Sequence, residues 1–154
     1  MKKQDYQASF QVSAAPEQVF QQINAVRNWW SENIDGDTNK DGGVFSIHFG
    51  ETFVTMKIIT FIPGKKVVWY VTDCYLHWLA DKKEWKDTEV VFDITPAGNG
   101  TNVSLTHVGL TPQVECYEGC VKGWDQYFKD SLAKLINEGA GLPQKKAVAE
   151  KETV

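Results

Sequence analysis

Three histidines and three cysteines are the residues of this chain best suited to acid–base, nucleophilic or metal chemistry. His107 alternates with Val103 and Leu105 near the end of a predicted strand, so it faces inward beside the start of the segment that follows. Three roles fit it there: a general base, a hydrogen-bond anchor for a ligand, or a buried histidine bonded to backbone. Cys116 and Cys120 lie one helical turn apart next to Glu115, and with His107 they would offer three ligands to a soft metal. Such a trio is only part of a metal site, and isolated cysteines are commonly buried as small hydrophobes, so packing is the expected role and no metal is assigned. Spacing places no base beside either thiol, which leaves a cysteine nucleophile without an activator. His48 and His77 sit on short alternating stretches and are expected at the surface.

The loop from Asp37 to Val44, reading Asp-Thr-Asn-Lys-Asp-Gly-Gly-Val, matches the opening of a calcium-binding loop. The match fails at its twelfth position, which is His48 rather than Glu, and the following residues read as a strand. A turn rich in Asp and Gly is the expectation. Asp73, Glu89 and Asp93 lie on strands with poor alternation, so spacing assembles no carboxylate pair for acid and base work. There is no Gly-rich phosphate loop, nucleophile elbow or zinc signature.

The elements that must position these residues follow from hydrophobic periodicity. Tyr6, Ala8, Phe10 and Val12 alternate with polar neighbours as a first strand. Ser13 is placed to cap a helix with Pro16 in its first turn and Val19, Phe20, Ile23 and Val26 as its stripe, breaking before Trp29-Trp30. After an Asp/Asn/Gly-rich loop over 35–43, strands are predicted over 44–50, 51–62 and 66–75, with a turn at Pro63-Gly64. Beyond a charged stretch over 81–87, strands 88–95 and 101–108 flank Gly98-Asn99-Gly100, a strong hairpin signal. A long amphipathic helix then runs from the Thr111-Pro112 start signal to Gly139, with Cys120, Trp124, Tyr127, Phe128, Leu132 and Leu135 on one broad arc. Gly119 and Gly123 each cost that helix roughly 0.5 to 1 kcal/mol relative to Ala, so it is expected to bend there or to meet another backbone closely.

The 154 residues suffice for one domain, taken as 1–143, with 144–154 a disordered tail too poor in apolar residues to pack. A net charge of −4 offers no basic stripe, which argues against nucleic acid as a partner. With no apolar run behind Lys2-Lys3 and no stretch long enough to span a bilayer, neither secretion nor membrane insertion is expected. The sparse, odd set of cysteines fits a reducing, cytoplasmic setting.

This order of elements resembles the helix-grip fold of the START-like (SRPBCC, birch-pollen-allergen-like) superfamily, and within it the branch named for activators of the heat-shock-protein ATPase. The residues carrying the resemblance are Pro16-Glu17-Gln18-Val19-Phe20, Trp29-Trp30, Gly43-Val44-Phe45, Ile58 with Pro63, and Gly100-Thr101 leading to the run 105–110. Gly123-Trp124, Ser131-Leu132, Leu135 and Gly139 complete them. The resemblance implies an α+β domain in which a curved antiparallel six-stranded sheet wraps a long C-terminal helix, with two short helices after the first strand. It further implies a hydrophobic cavity between sheet and helix, with no cofactor.

Trp30, Phe45, Ile47, Ile58, Trp69, Phe92, His107, Tyr117, Cys120, Trp124 and Phe128 suit the wall of such a cavity, and the same side chains would equally fill a core. The function expected from the resemblance is binding of a hydrophobic or amphipathic small molecule without catalysis. A cyclase- or lyase-type enzyme using His107 and a co-chaperone-like regulator of a heat-shock-protein ATPase stand as alternatives, and a homodimer is compatible with each.

Overall fold

The computed structural model describes residues 5–49, 51–77, 80, 82–111 and 117–143. Period-two alternation builds most of the sheet. In β1 (Tyr6–Val12) the odd positions are exposed and Tyr6, Ala8, Phe10 and Val12 turn inward. β7 (Gly100–Val108) does the same with Thr101, Val103, Leu105 and His107. Between them come β2 (Ile34–Gly36), β3 (Val44–Phe49), β4 (Thr52–Ile62), β5 (Lys66–Tyr75) and β6 (Glu89–Ala97). All pair antiparallel in the order β1-β7-β6-β5-β4-β3-β2.

Among the described residues the sheet therefore has seven strands rather than the expected six. The extra one, β2, falls in the Asp/Asn/Gly-rich stretch read as loop, where local composition opposes a strand and pairing with β3 supplies it. Gly36 makes the pairing possible: its φ is +107°, and a Cβ there would lie 2.2 Å from the carbonyl oxygen of Val44. Register shifts between β4 and β5 near Thr55 and Ile58 mark bulges, which bend and twist a sheet.

The connection from β1 to β2 crosses from one edge of the sheet to the other through α1 (Pro16–Asn24) and α2 (Val26–Trp29). Two local expectations are corrected here. Ala15, not Ser13, is the N-cap of α1, and it makes no side-chain capping bond; Pro16 at the first helical position sets the start instead. The helix breaks at Ala25, ahead of Val26, so Val26 and Trp29 both belong to the second helix, α2.

The C-terminal helix runs as α3 (Tyr117–Trp124), a π-helical stretch (Asp125–Leu132) and α4 (Ala133–Glu138), ending at Gly139 with φ +85°. Its wide π turns put Phe128, Ser131 and Leu132 in the interior. Ser131 fastens the helix to α2: its hydroxyl donates to the carbonyl of Trp29 at 2.7 Å and accepts from the amide of Leu142 at 2.7 Å.

Rings fill the space between sheet and helix. Trp29, Trp30 and Trp69 lie nearly parallel, with centroids 5.9 to 6.3 Å apart, and Phe45 and Phe92 meet Trp69 edge-on at 5.2 and 4.7 Å. Phe128 packs against Phe10 at 4.9 Å and Phe92 at 6.1 Å. Among the described residues the indole N–H of Trp69 finds no hydrogen-bond partner in this apolar surround, a cost of roughly 1 to 3 kcal/mol that ring burial must offset. No described helix is long and apolar enough to cross a membrane.

Candidate functional site

One end of the sheet–helix interior stays open. There a cleft of about 280 Å³ is lined by Trp30, Phe49, Trp85, Gly119, Cys120, Gly123, Trp124 and Tyr127. Four elements converge on it. Trp30 follows α2, Phe49 ends β3, Trp85 stands on the connection between β5 and β6, and the rest come from one side of the C-terminal helix. The two glycines shape that side, because a Cβ added at either would meet nothing within 4 Å among the described residues. Of the two outcomes the helix pattern suggested, a close approach to another described backbone is not the one found; what they leave is room.

The Trp85 wall is held by backbone bonds. The amide of Asp87, a residue with φ +71°, donates to Val71 O at 2.9 Å, and the amide of Leu76 donates to Lys82 O at 2.8 Å. Asp87 also accepts the phenol of Tyr70, which raises the Tyr70 pKa through that bond first and burial second.

His107 lies just beneath this wall, fully buried, and all its polar capacity is used. Trp124 Nε1–H donates to His107 Nδ1 at 3.1 Å, which fixes the neutral tautomer with its proton on Nε2. That Nε2 lies 2.9 Å from the hydroxyl of Thr88, which itself donates to the carbonyl of Trp85 at 2.7 Å. The chain Trp124 → His107 → Thr88 → Trp85 is thus consistent at every proton, and it ties together two walls of the cleft. The ring of His107 also meets Trp85 edge-on at 4.5 Å and Trp124 at 5.9 Å. Burial alone pushes its pKa down to about 3.

Of the residues expected at a cavity wall, Trp30, Cys120 and Trp124 come together at the cleft. Phe45, Ile47, Ile58, Trp69, Phe92 and Phe128 are placed instead in the solid interior, because neighbouring rings occupy the volume a deep cavity would need. Tyr117 packs half-buried against the core, and His107 stands behind the cleft rather than in it. Phe49, Trp85, Gly119, Gly123 and Tyr127 were missed. Trp85 carried a signal, being a tryptophan inside the charged stretch 81–87, and the paired glycines carried another in their unexplained cost to the helix.

The other candidates resolve individually. Cys116 lies outside the described residues; Cys74 and Cys120 are both buried, and burial is the main force raising the Cys74 pKa. With both ring nitrogens of His107 engaged, no lone pair is left for a metal, and the described residues hold no cluster of three potential ligands. The segment from Asp37 to Val44 is a turn closed by backbone bonds, Asp37 N to Val44 O and Gly43 N to Lys40 O, both 3.0 Å. Asp73 pairs with Lys83 at 2.9 Å, the bond that chiefly lowers its pKa, and Asp93 pairs with Lys66 at 3.4 Å. His77 contacts Glu51 at 3.1 Å. His48 Nε2 sits 3.2 Å from Asp35, near enough for an ion pair but not aligned as a hydrogen bond.

The family model described as "Activator of Hsp90 ATPase homolog 1-like protein" matches residues 13–137. Among solved structures, the Aha1 dimer from Colwellia psychrerythraea superposes with a TM-score of 0.73 at 21% identity, covering 90% of this chain and 99% of that one. Protein MLL2253 from Mesorhizobium loti gives 0.67 at 21% identity, over 86% of this chain and 96% of that one. DynU16, from the dynemicin biosynthetic locus, gives 0.65 at 13% identity, with 91% of this chain matching 49% of that one. No curated protein matches the chain significantly. At these identities the structural likeness bears on the fold.

Proposed function

The chain belongs to the family of activator of Hsp90 ATPase homolog 1-like proteins, and from that premise we propose that it binds a hydrophobic or amphipathic small molecule in the aromatic cleft. The observation that carries this reading is the pair Gly119 and Gly123. Each costs the helix roughly 0.5 to 1 kcal/mol, neither stands within 4 Å of another described segment, and together they hold open a floor beneath Trp30, Phe49, Trp85 and Tyr127. At about 280 Å³ the cleft lies near the small end of ligand sites, so it suits a small molecule or one end of a larger one.

Catalysis through His107 has little support from the geometry. A general base needs a free lone pair facing the substrate, and here that lone pair accepts from Trp124 while burial holds the ring neutral. A co-chaperone role is favoured only by the family description, and a homodimer only by the dimeric state of the Colwellia protein. Stimulation of a heat-shock-protein ATPase at saturating protein, and sedimentation analysis, would test these two readings.

The binding reading is tested by titrating the protein with a panel of aromatic metabolites, lipids and amphiphiles while following tryptophan emission and melting temperature. Quenching and a raised melting temperature are expected for at least one class, and both should vanish in Gly123→Leu, whose side chain enters the cleft. A panel without any response would refute ligand binding at this site.

A further inference from the structure

The lining of the cleft departs from the rest of the interior. Ile23, Ile47, Ile58, Val67 and Leu105 supply aliphatic surface throughout the core, yet among the described residues Val, Leu and Ile are absent from the cleft wall, which offers five aromatic side chains, a cysteine and two glycines. Aliphatic walls suffice for a hydrocarbon guest; a wall made of π faces adds a negative quadrupole that favours cations.

The wall is also concave. Trp30 is tilted 50° from Trp124 with centroids 4.8 Å apart, and 45° from Phe49 at 6.3 Å. Trp85 and Trp124 are parallel within 11°, but their centroids are 6.1 Å apart. A flat guest sandwiched between two rings needs them about 7 Å apart, twice a carbon contact distance. The surface therefore fits a rounded group better than a planar one.

Charge points the same way. Among the described residues, Lys, Arg and His are absent from the lining. The lysines of the Trp85 connection are engaged elsewhere: Lys83 with Asp73 at 2.9 Å, Lys86 with Asp87 at 3.9 Å, and Lys82 over the ring of Tyr75. Of the donors in the lining that an anion would seek, the N–H of Trp124 is turned to His107. Resting on the reading that the cleft is a ligand site, we propose that its preferred occupant is a methylated ammonium group, held against the rings of Trp30, Phe49, Trp85, Trp124 and Tyr127 without a counter-charge. Because the cleft opens to solvent, such a cation keeps part of its hydration and needs no buried carboxylate.

The test compares three probes of one shape at matched ionic strength: choline, its uncharged carbon isostere dimethylbutanol, and dimethylbutyrate. Tryptophan emission and melting temperature report occupancy. Choline is expected to bind roughly 5- to 30-fold tighter than the carbon isostere, with the carboxylate weakest. Equal or tighter binding of the carbon isostere would overturn the ammonium assignment and leave the hydrophobic-site reading standing. Failure of all three probes and of the wider panel would remove both. Phe49→Leu and Tyr127→Leu each keep apolar bulk while deleting a ring at a partly exposed position, so at least one is expected to fold as judged by circular dichroism. The choline-to-isostere ratio should fall toward one in either variant, and an unchanged ratio would overturn the proposal.

Discussion

Two tryptophan-rich regions stand side by side in this molecule and behave differently. Around Trp69 and Trp29 the rings are enclosed by Phe45, Phe92 and Phe128, and all are essentially without solvent contact. Around Trp124 and Trp85 the rings are just as close to one another, yet they border open space. What separates the two is the neighbouring side chain on the C-terminal helix: Phe128 in the first region, Gly119 and Gly123 in the second. Aromatic content alone makes neither a core nor a site; the volume left beside the rings decides.

The largest test of this contrast is Trp69→Ala. It should cost roughly 3 to 5 kcal/mol, read as a lower urea midpoint, because an interior with no spare volume cannot close over the lost ring. A loss below about 1 kcal/mol would mean that the interior is as loosely filled as the cleft.

Acid should act next most strongly, through the histidine that lies between the two regions. The folded state holds His107 neutral down to about pH 3, whereas the unfolded chain takes up the proton near pH 6.5. The folded pKa is the lower one, so stability is full above about pH 6.5 and is lost as pH falls toward 3. The loss is on the order of 4 kcal/mol over that window. Protonation would place an N–H against the Trp124 N–H, so near-ultraviolet circular dichroism from the cleft tryptophans should fade along with stability. His107→Leu should be less stable at neutral pH and lack this part of the acid slope.

Gly123→Ala should move the two properties in opposite directions. Stability is expected to rise by about 0.5 to 1 kcal/mol, since the new methyl meets no other described segment within 4 Å and improves helix propensity. Ligand-dependent quenching should weaken in the same variant. The smallest stability effect is expected from Phe49→Leu, within about 1 kcal/mol by thermal melting because the ring is half-exposed, although the emission response to ligand should drop clearly.

Much of the fold was legible in the chain. The alternation of Tyr6 to Val12 and of Thr101 to His107, the Gly98-Asn99-Gly100 hairpin and the αL stop at Gly139 act through local geometry, and each appears where expected. β2 was not legible, because Asp35 and Gly36 oppose a strand locally and only β3 makes them one. The cap of α1 escaped for a related reason: Ser13 has the right chemistry, but the chain enters the helix two residues later. The candidate site was legible in part. Cys120 and Trp124 were placed by periodicity, which reports that a residue faces inward but not what stands opposite, and Trp30 by its bulk and the family resemblance.

The sequence by itself therefore determined the inward faces of its strands and helices, since these depend on periodicity and on turn chemistry carried by a few neighbouring residues, while the helix-grip architecture and the family were read from a resemblance carried by motifs along the chain. Only the tertiary structure decided that the deep interior is solid, that His107 is spent on holding Trp124 and Thr88, and that Trp85 and two glycines bound the remaining opening. Those outcomes depend on which side chains from distant segments share a volume, and excluded volume is settled only when the chain is packed.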